Sequence, residues 1–391
     1  MDMSKAFDMV DWRELFQTLL DRKIDPVYLR LLLYIYANQM YTVKWGSDVA
    51  SYFNVSNGVR QGGVSSGIFF AVYIDQLITI LRQSGFGCHI YGVFFGAIIY
   101  ADDIFLLSAS RTGLQAMIGI SEVFASRMNL KFGTNINPDK SKTKCLIFSR
   151  SRTVKTEAVK QVELNGCELP WVSQAKHLGH TLQLNNSMKI DIQLKRGAFI
   201  GKVNSLLQEF HYSDPKVLLK LIQSYACNVY GSNTWDLFSA DSQKLYTTYN
   251  VTVRNLLKIP RTTHRYLIES LTNIPHLYVQ LLSRYVTFAQ SLMESTFEIR
   301  FLARICVGDM RTTLGRSLTT IADLCELNGD VTSLSSNIVK RKVRYASVPH
   351  SEEWRVGFIQ DILDMMRRKD WSNEVMNYKE ASSMLDYACT A

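Results

Sequence analysis

Ile98-Ile99-Tyr100-Ala101-Asp102-Asp103-Ile104-Phe105-Leu106-Leu107 is the stretch on which the fold turns. Two apolar runs rich in β-branched and aromatic residues flank Ala101-Asp102-Asp103. The pattern predicts short strands at Ile98 to Tyr100 and Ile104 to Leu107, joined by those three residues. Adjacent ionised carboxylates beside apolar strands repel each other and lose hydration, so such a pair persists with a cation or a shared proton. A hard, oxygen-seeking divalent ion such as Mg²⁺ is the natural partner. Most Asp-Asp dipeptides are exposed turns, and the apolar flanks are what separate this one from them.

Outward from this hairpin, the pattern alternates between helix and strand. Residues 9–40 read as helical, with Asp25-Pro26 as an N-cap and first-turn pair. Tyr41 to Trp45 and Tyr52 to Val55 read as short strands, and a Gly-rich loop, Gly58 to Gly67, opens a helix running to about Leu81. A helix from Thr112 to Met128 and a strand from Lys144 to Ser149 follow. This alternation implies an α+β domain with an antiparallel sheet. Residues 150–160 are polar and basic and read as a connector, and Val162 to Trp171 reads as a hairpin turning at Asn165-Gly166. Beyond Asn186 the pattern is helical, with Pro215, Pro260, Pro275 and Pro349 at expected helix boundaries.

The chain has 391 residues, a prior for roughly two to three domains. With 47% apolar and 20% charged residues, it has neither disordered nor fibrous composition. Asp2, Lys5, Asp8 and Asp11 interrupt any apolar leader, and no apolar run reaches membrane-spanning length. The seven cysteines form no CxxC pair, which suits free thiols in a reducing, nuclear or cytoplasmic setting. The net charge of +9 favours a polyanionic partner. On the helix expected from Ser187 to Phe210, Ile192, Phe199, Val203, Leu206 and Phe210 form an apolar stripe. Lys189 and Arg196, and Lys195 and Lys202, form two basic rows on its remaining surface. Such rows are either a solvated face or a track for phosphates.

Two further segments carry chemistry. Asp2-Met3-Ser4-Lys5-Ala6-Phe7-Asp8 offers a carboxylate that could join Asp102 and Asp103 in a two-metal site. Asn57 to Gly67 is a loop whose glycines allow close backbone approach to a ligand, with Arg60 and Gln61 placed to contact phosphate and base. In this order and spacing, the three segments resemble reverse transcriptases, above all those of non-LTR (LINE-type) retrotransposons. DMSKAFD resembles polymerase motif A, GVRQGGVSSG motif B and YADD motif C. Asn137 to Lys142 resembles motif D, and Lys176-His177-Leu178-Gly179 the primer-grip motif. The resemblance covers residues 1 to about 185.

The resemblance implies a right-hand polymerase palm over 1–150, a primer-grip-like hairpin region over 151–186, a helical thumb over 187–300 and a helical C-terminal extension over 301–391. It implies RNA-directed DNA synthesis by two-metal nucleotidyl transfer, with two Mg²⁺ ions (Mn²⁺ as the alternative), an RNA template, a DNA primer or RNA–DNA hybrid, and dNTPs. Asp2, Asp102 and Asp103 would be the catalytic metal ligands, with the Met3 carbonyl beside them. Phe7 would be the steric gate against a ribose 2′-hydroxyl. Arg60, Gln61, Gly62 and Tyr100 would border the nucleotide. Lys140, with Lys142 as its competitor, would protonate the leaving pyrophosphate, and Lys176 to Gly179 would hold the primer end. Lys189, Lys195, Arg196 and Lys202 would follow the duplex. Motif B departs from the family at Ser66-Gly67, where Ser-Pro is usual. The resemblance starts at motif A, so the chain reads as truncated, without fingers or endonuclease. Two other readings stand: a non-catalytic nucleic-acid-binding remnant, and an intron-encoded maturase-type reverse transcriptase.

Overall fold

A computed structural model describes residues 1–135, 137, 140–149, 160–185, 187–263, 268, 272 and 274–346. Most of the 150–160 connector, Pro138 and Asp139 of the motif D segment, Pro349, and the basic cluster Arg367-Arg368-Lys369 lie outside these residues. The chain divides into two compact units that part between Ala175 and Lys176. Among the described residues, no helix is long and apolar enough to cross a membrane.

In the first unit, the helical stretch expected over 9–40 is two helices, Trp12–Asp21 and Pro26–Ala37. Asp11 caps the first by accepting from the Arg13 and Glu14 N–H groups, and Asp25 caps the second, with Pro26 in its first turn. The break lies between them, where Lys23 takes the left-handed conformation at φ +61°. Helix Ser66–Gln83 buries Phe70, Tyr73, Leu77 and Leu81, three to four residues apart, in the same core as Met117, Ile118 and Phe124 of helix Arg111–Arg127.

The strands are short and pair two by two. Ala97–Tyr100 pairs antiparallel with Asp103–Leu106, with Tyr100 opposite Asp103. Asp2 bridges Asp103 on the far side, and Met3 bridges Phe132. The order 97–100, 103–106, 1–3, 131–133 is therefore a small antiparallel platform. Met3, Ile104 and Phe132 are buried in it. The expected antiparallel character has one exception: Cys145–Leu146, all that forms of the strand expected over Lys144 to Ser149, pairs parallel with Trp171–Val172. Val162–Leu164 and Cys167–Leu169 form the expected hairpin. Asn165 and Gly166 both take positive φ (51° and 70°), as a two-residue primed turn requires.

The second unit opens on the paired strands Gln174–His177 and His180–Gln183 and is otherwise helical among the described residues. Helix Lys189–Glu209 buries Ile192, Phe199 and Val203 as the stripe predicted, and Leu206 packs beside them. Phe210 is a correction: it stands at the C-cap with its ring exposed, because the helix ends before the stripe does. Pro215 starts helix Pro215–Leu221 under the Asp214 cap, and the chain then widens into a π-turn at Ile222–Ala226. Pro260 follows helix Ala240–Leu256, and Pro275 precedes helix Leu277–Met293. The six described cysteines are all free thiols. Burial pushes the Cys145 thiol up to about 11 and Cys227 up to about 12, so neither is a thiolate at neutral pH.

One buried acid organises this unit. Asp191 is 1% exposed in the first turn of helix Lys189–Glu209. Its Oδ1 accepts the Thr181 N–H at 3.0 Å, and its Oδ2 accepts the fully buried Trp235 Nε1–H at 2.9 Å. His180 Nδ1 lies 3.8 Å from the same Oδ2. Replacing Asp191 by Ala strands two buried donors, each a loss of about 1–3 kcal/mol. Urea unfolding of Asp191→Ala is expected to show a loss of roughly 2–4 kcal/mol; a loss under about 0.5 kcal/mol, the usual range of a surface change, would show that this carboxylate does not anchor the unit.

Candidate active site

Two of the expected site acids, Asp2 and Asp103, meet on the platform. The Asp2↔Asp103 bridge seats two acids side by side on antiparallel backbone, with Ile104 N–H donating to the Met1 carbonyl at 3.0 Å and Gly133 N–H to the Asp2 carbonyl at 2.8 Å. Like charges so placed are destabilising unless something neutralises them. Asp2 N–H donates to Thr143 Oγ1 at 3.2 Å, and Thr143 Oγ1 donates in turn to the Gly133 carbonyl at 3.2 Å. The Asp2 backbone is thus fully held, yet Asp2 Oδ2 is buried without a hydrogen-bond partner. A Cβ at Gly133 would lie 2.9 Å from that oxygen, so glycine is needed there to leave it room. The Met1 ammonium donates to the Ile104 carbonyl; burial lowers its pKa, and Asp103 and Asp2 oppose that effect.

Asp102 lies in the adjoining hairpin turn, outside the bridge. It shares the two-residue turn between Tyr100 and Asp103 with Ala101, which is held at φ +52°. Left-handed backbone in a residue with a Cβ is strained, and such strain gathers where function over-determines geometry. Tyr100 is exposed beside the turn. Among the described residues, no three His, Cys, Asp or Glu side chains are gathered so as to hold a metal ion. Mg²⁺ is ordinarily held by one or two carboxylates together with substrate phosphates and water. An orphaned, buried carboxylate oxygen next to a second acid fits that donor set; a complete protein cage is not present.

The motif A turn and the motif B loop are locked together through backbone. Val59 N–H donates to the Phe7 carbonyl and Gly58 N–H to the Val10 carbonyl, both at 2.8 Å. Asn57 Nδ2 donates to the Asp8 carbonyl at 3.0 Å, and Trp12 Nε1 to the Gly58 carbonyl at 2.7 Å. Gly58, at φ +86°, passes so close that a Cβ would meet the Asp8 and Phe7 carbonyl oxygens at 3.0 and 3.1 Å. The Phe7 ring stacks on the fully buried Phe70, with centroids 4.9 Å apart and planes at 17°, so its position is rigid. Gln61 Nε2 is 3.4 Å from Asp8 Oδ1, a partner that motif reading did not single out. Arg60 and Gly62 are exposed, and Gly62 takes φ +77° with open space around it.

Of the two lysines, Lys142 faces the carboxylates: its Nζ is 3.7 Å from Asp2 Oδ2, a Coulombic contact beyond hydrogen-bond reach. Lys140 is exposed, with its N–H donating to the Asn137 carbonyl.

The remaining predicted residues lie in the second unit. Leu178 (φ 44°) and Gly179 (φ 77°) form the turn between the strands carrying Lys176, His177 and His180. Three of the four cations expected to track phosphates make hydrogen bonds within the unit. Lys195 Nζ donates to the Gly179 carbonyl at 2.9 Å, Arg196 Nε to Thr248 Oγ1 at 2.9 Å, and Lys202 Nζ to the Tyr225 carbonyl at 3.2 Å. They brace the helix against its neighbours, and Lys189 remains exposed in the first turn. Thr143 and Gly133 were missed because nothing local marks them, and Asp191 because its partners Thr181 and Trp235 lie on other elements.

Residues 1–182 match the family profile of reverse transcriptase (RNA-dependent DNA polymerase). The chain is also similar to proteins of transposable elements. It is similar to the Retrovirus-related Pol polyprotein from type-1 retrotransposable element R2 of Nasonia vitripennis, at 24% identity over 273 residues, covering 67% of this chain and 25% of that protein. It is also similar to the Retrovirus-related Pol polyprotein from type-2 retrotransposable element R2DM of Drosophila melanogaster, at 27% identity over 140 residues (36% of this chain, 13% of that protein). A third match is the Transposon TX1 uncharacterized 149 kDa protein of Xenopus laevis, at 28% identity over 128 residues (32% and 10%). The chain thus spans about a quarter or less of the curated relatives it matches.

Gly58 and Gly62 separate conformational strain from close approach. Both have positive φ, but only Gly58 has backbone in contact range. Gly62→Ala is expected to destabilise by roughly 1 kcal/mol and Gly58→Ala by roughly 2 kcal/mol or more. Equal losses in thermal or urea unfolding would show that the motif A–motif B contact adds nothing.

Proposed function

We propose that the chain is the palm and thumb portion of an RNA-directed DNA polymerase of a non-LTR retrotransposon, adding deoxynucleotides to a primer 3′-hydroxyl on an RNA template. The observation that carries this reading is the Asp2–Asp103 bridge with its orphaned, buried Oδ2, standing where motifs A and C meet. In this reading the palm spans 1–150, the primer-grip hairpin region 151–186 and the thumb 187–300.

Each residue has a task. Asp2 and Asp103, with Asp102 arriving from the strained turn, would hold two Mg²⁺ or Mn²⁺ ions, and the Met3 carbonyl lies next to them. When bound, the ions supply charge neutralisation at the triphosphate and lower the pKa of the primer hydroxyl. Phe7, braced by Phe70, presents a wall where a 2′-hydroxyl would sit and so selects deoxyribonucleotides. Gln61 and Gly62 lie on the loop locked to that wall and border the base pair; Arg60 and Tyr100 are exposed for triphosphate and sugar contacts. Lys142 stands beside Asp2 and is the better placed of the two lysines to give a proton to the departing pyrophosphate, with Lys140 two residues away. The turn at Leu178-Gly179 holds the primer end.

One observation favours a second reading. Because no three His, Cys, Asp or Glu side chains are gathered to hold a metal among the described residues, a non-catalytic nucleic-acid-binding remnant fits the same fold. Primer extension on an RNA template, with Mg²⁺ or Mn²⁺ and dNTPs, separates the two. The polymerase reading expects metal-dependent extension by the chain and a drop of at least about a hundredfold in Asp2→Asn, Asp102→Asn or Asp103→Asn. It also expects Phe7→Val to raise ribonucleotide use relative to deoxyribonucleotide use. Salt-sensitive RNA binding without any incorporation supports the remnant, and unchanged extension by Asp103→Asn overturns the catalytic assignment.

A further inference from the structure

The second unit contains an open pocket of about 360 Å³ that no motif accounts for. His180, Asn228, Tyr230, Asn233, Arg284 and Phe288 are among its lining residues, and none of the lining side chains is acidic. It adjoins the Leu178-Gly179 turn, since a Cβ on Gly179 would lie 3.0 Å from the Tyr230 ring. Gly231, at φ +86°, lets the His180 imidazole lie directly on the backbone, where a Cβ would meet the ring at 2.2 Å. The buried Asp191 carboxylate lies 3.8 Å behind His180 Nδ1.

The chemistry of the walls is mixed in an informative way. Tyr230 is 59% exposed, tilted at 5.5 Å from the His180 ring, and carries the Lys195 ammonium 5.4 Å over its own ring. Phe288 adds a second apolar aromatic surface. Asn228 and Asn233 each present an amide with both donor and acceptor. Arg284, exposed at the rim, gives one N–H to the Cys227 carbonyl at 3.3 Å and has a fork of five donors in all. Aromatic faces, amide edges and a cation together match a nucleobase with its phosphate; a bare anion would use only the cation.

We propose that this pocket binds one unpaired nucleotide of single-stranded nucleic acid, with the base against Tyr230, its edge toward Asn228 and Asn233, and its phosphate on Arg284. The proposal extends the nucleic-acid side of the polymerase reading and is independent of the carboxylate site.

Fluorescence anisotropy with 8-mer rU and dT oligonucleotides and a blunt duplex, all in EDTA so that no metal chemistry enters, tests it. Tyr230→Ala is expected to weaken single-strand binding by roughly 5- to 150-fold, while Tyr230→Phe retains it. Arg284→Gln is expected to lower the salt slope by about 0.7. Duplex binding is expected to change little in all three variants, which also reports that they fold. The rU and dT arms show whether the strand is RNA, DNA or either, and each of these results supports the pocket. Equal losses on duplex and single strand, no loss in Tyr230→Ala, or displacement by inorganic phosphate as effective as by a mononucleotide would each overturn it. Because the assay holds no divalent ion, a negative result leaves the extension assay to judge the polymerase reading separately.

Discussion

Two carboxylates facing each other across an antiparallel bridge are the constraint around which the first unit is arranged. Asp2 and Asp103 come from segments about a hundred residues apart, and only the platform made by 97–100, 103–106, 1–3 and 131–133 brings them together. Placing like charges opposite one another opposes folding. The surrounding hydrogen bonds from Ile104, Gly133 and Thr143 hold the backbone there regardless. Lys142 offsets part of the charge at 3.7 Å. What stays unmet is Asp2 Oδ2, a buried oxygen whose remaining need is for a cation.

From that pair outward, the parts support one another in sequence. The motif A turn carries Phe7, Phe70 fixes the ring of Phe7, and Phe70 belongs to the buried stripe of helix Ser66–Gln83. The loop leading into that helix is tied back to the motif A turn by four hydrogen bonds at Asn57, Gly58 and Val59. A displacement of the loop therefore displaces Phe7. In the second unit Asp191 has the corresponding place, joining the His180 strand, its own helix and Trp235 through one carboxylate.

Much of this was legible in the sequence. The apolar runs around Ala101-Asp102-Asp103 predicted one hairpin, Asn165-Gly166 predicted the turn of another, and Asp25-Pro26 and Pro215 marked helix starts, because these signals are local. The resemblance to reverse transcriptases was legible from the order of DMSKAFD, GVRQGGVSSG and YADD. What was not legible depends on distant partners. The break between Arg22 and Asp25 follows from a left-handed Lys23, a conformation no residue type announces. Lys195, Arg196 and Lys202 read as phosphate ligands or a solvated face, but long cationic side chains are equally able to reach a carbonyl or hydroxyl of the same unit, and three of them do. Asp191 sits one residue before the apolar stripe begins, and that adjacency was the one available hint that this acid faces inward.

The account stands or falls on whether the Asp2–Asp103 pair is a divalent-cation site. Mn²⁺ titration of the chain, followed by electron paramagnetic resonance of the free ion without nucleotide, measures this without requiring turnover. The account predicts a bound ion whose affinity falls by at least about tenfold in both Asp2→Asn and Asp103→Asn, with Asp75→Asn, on the helix Ser66–Gln83, as an unaffected control. Equal Mn²⁺ binding by the wild type and the two variants would contradict it.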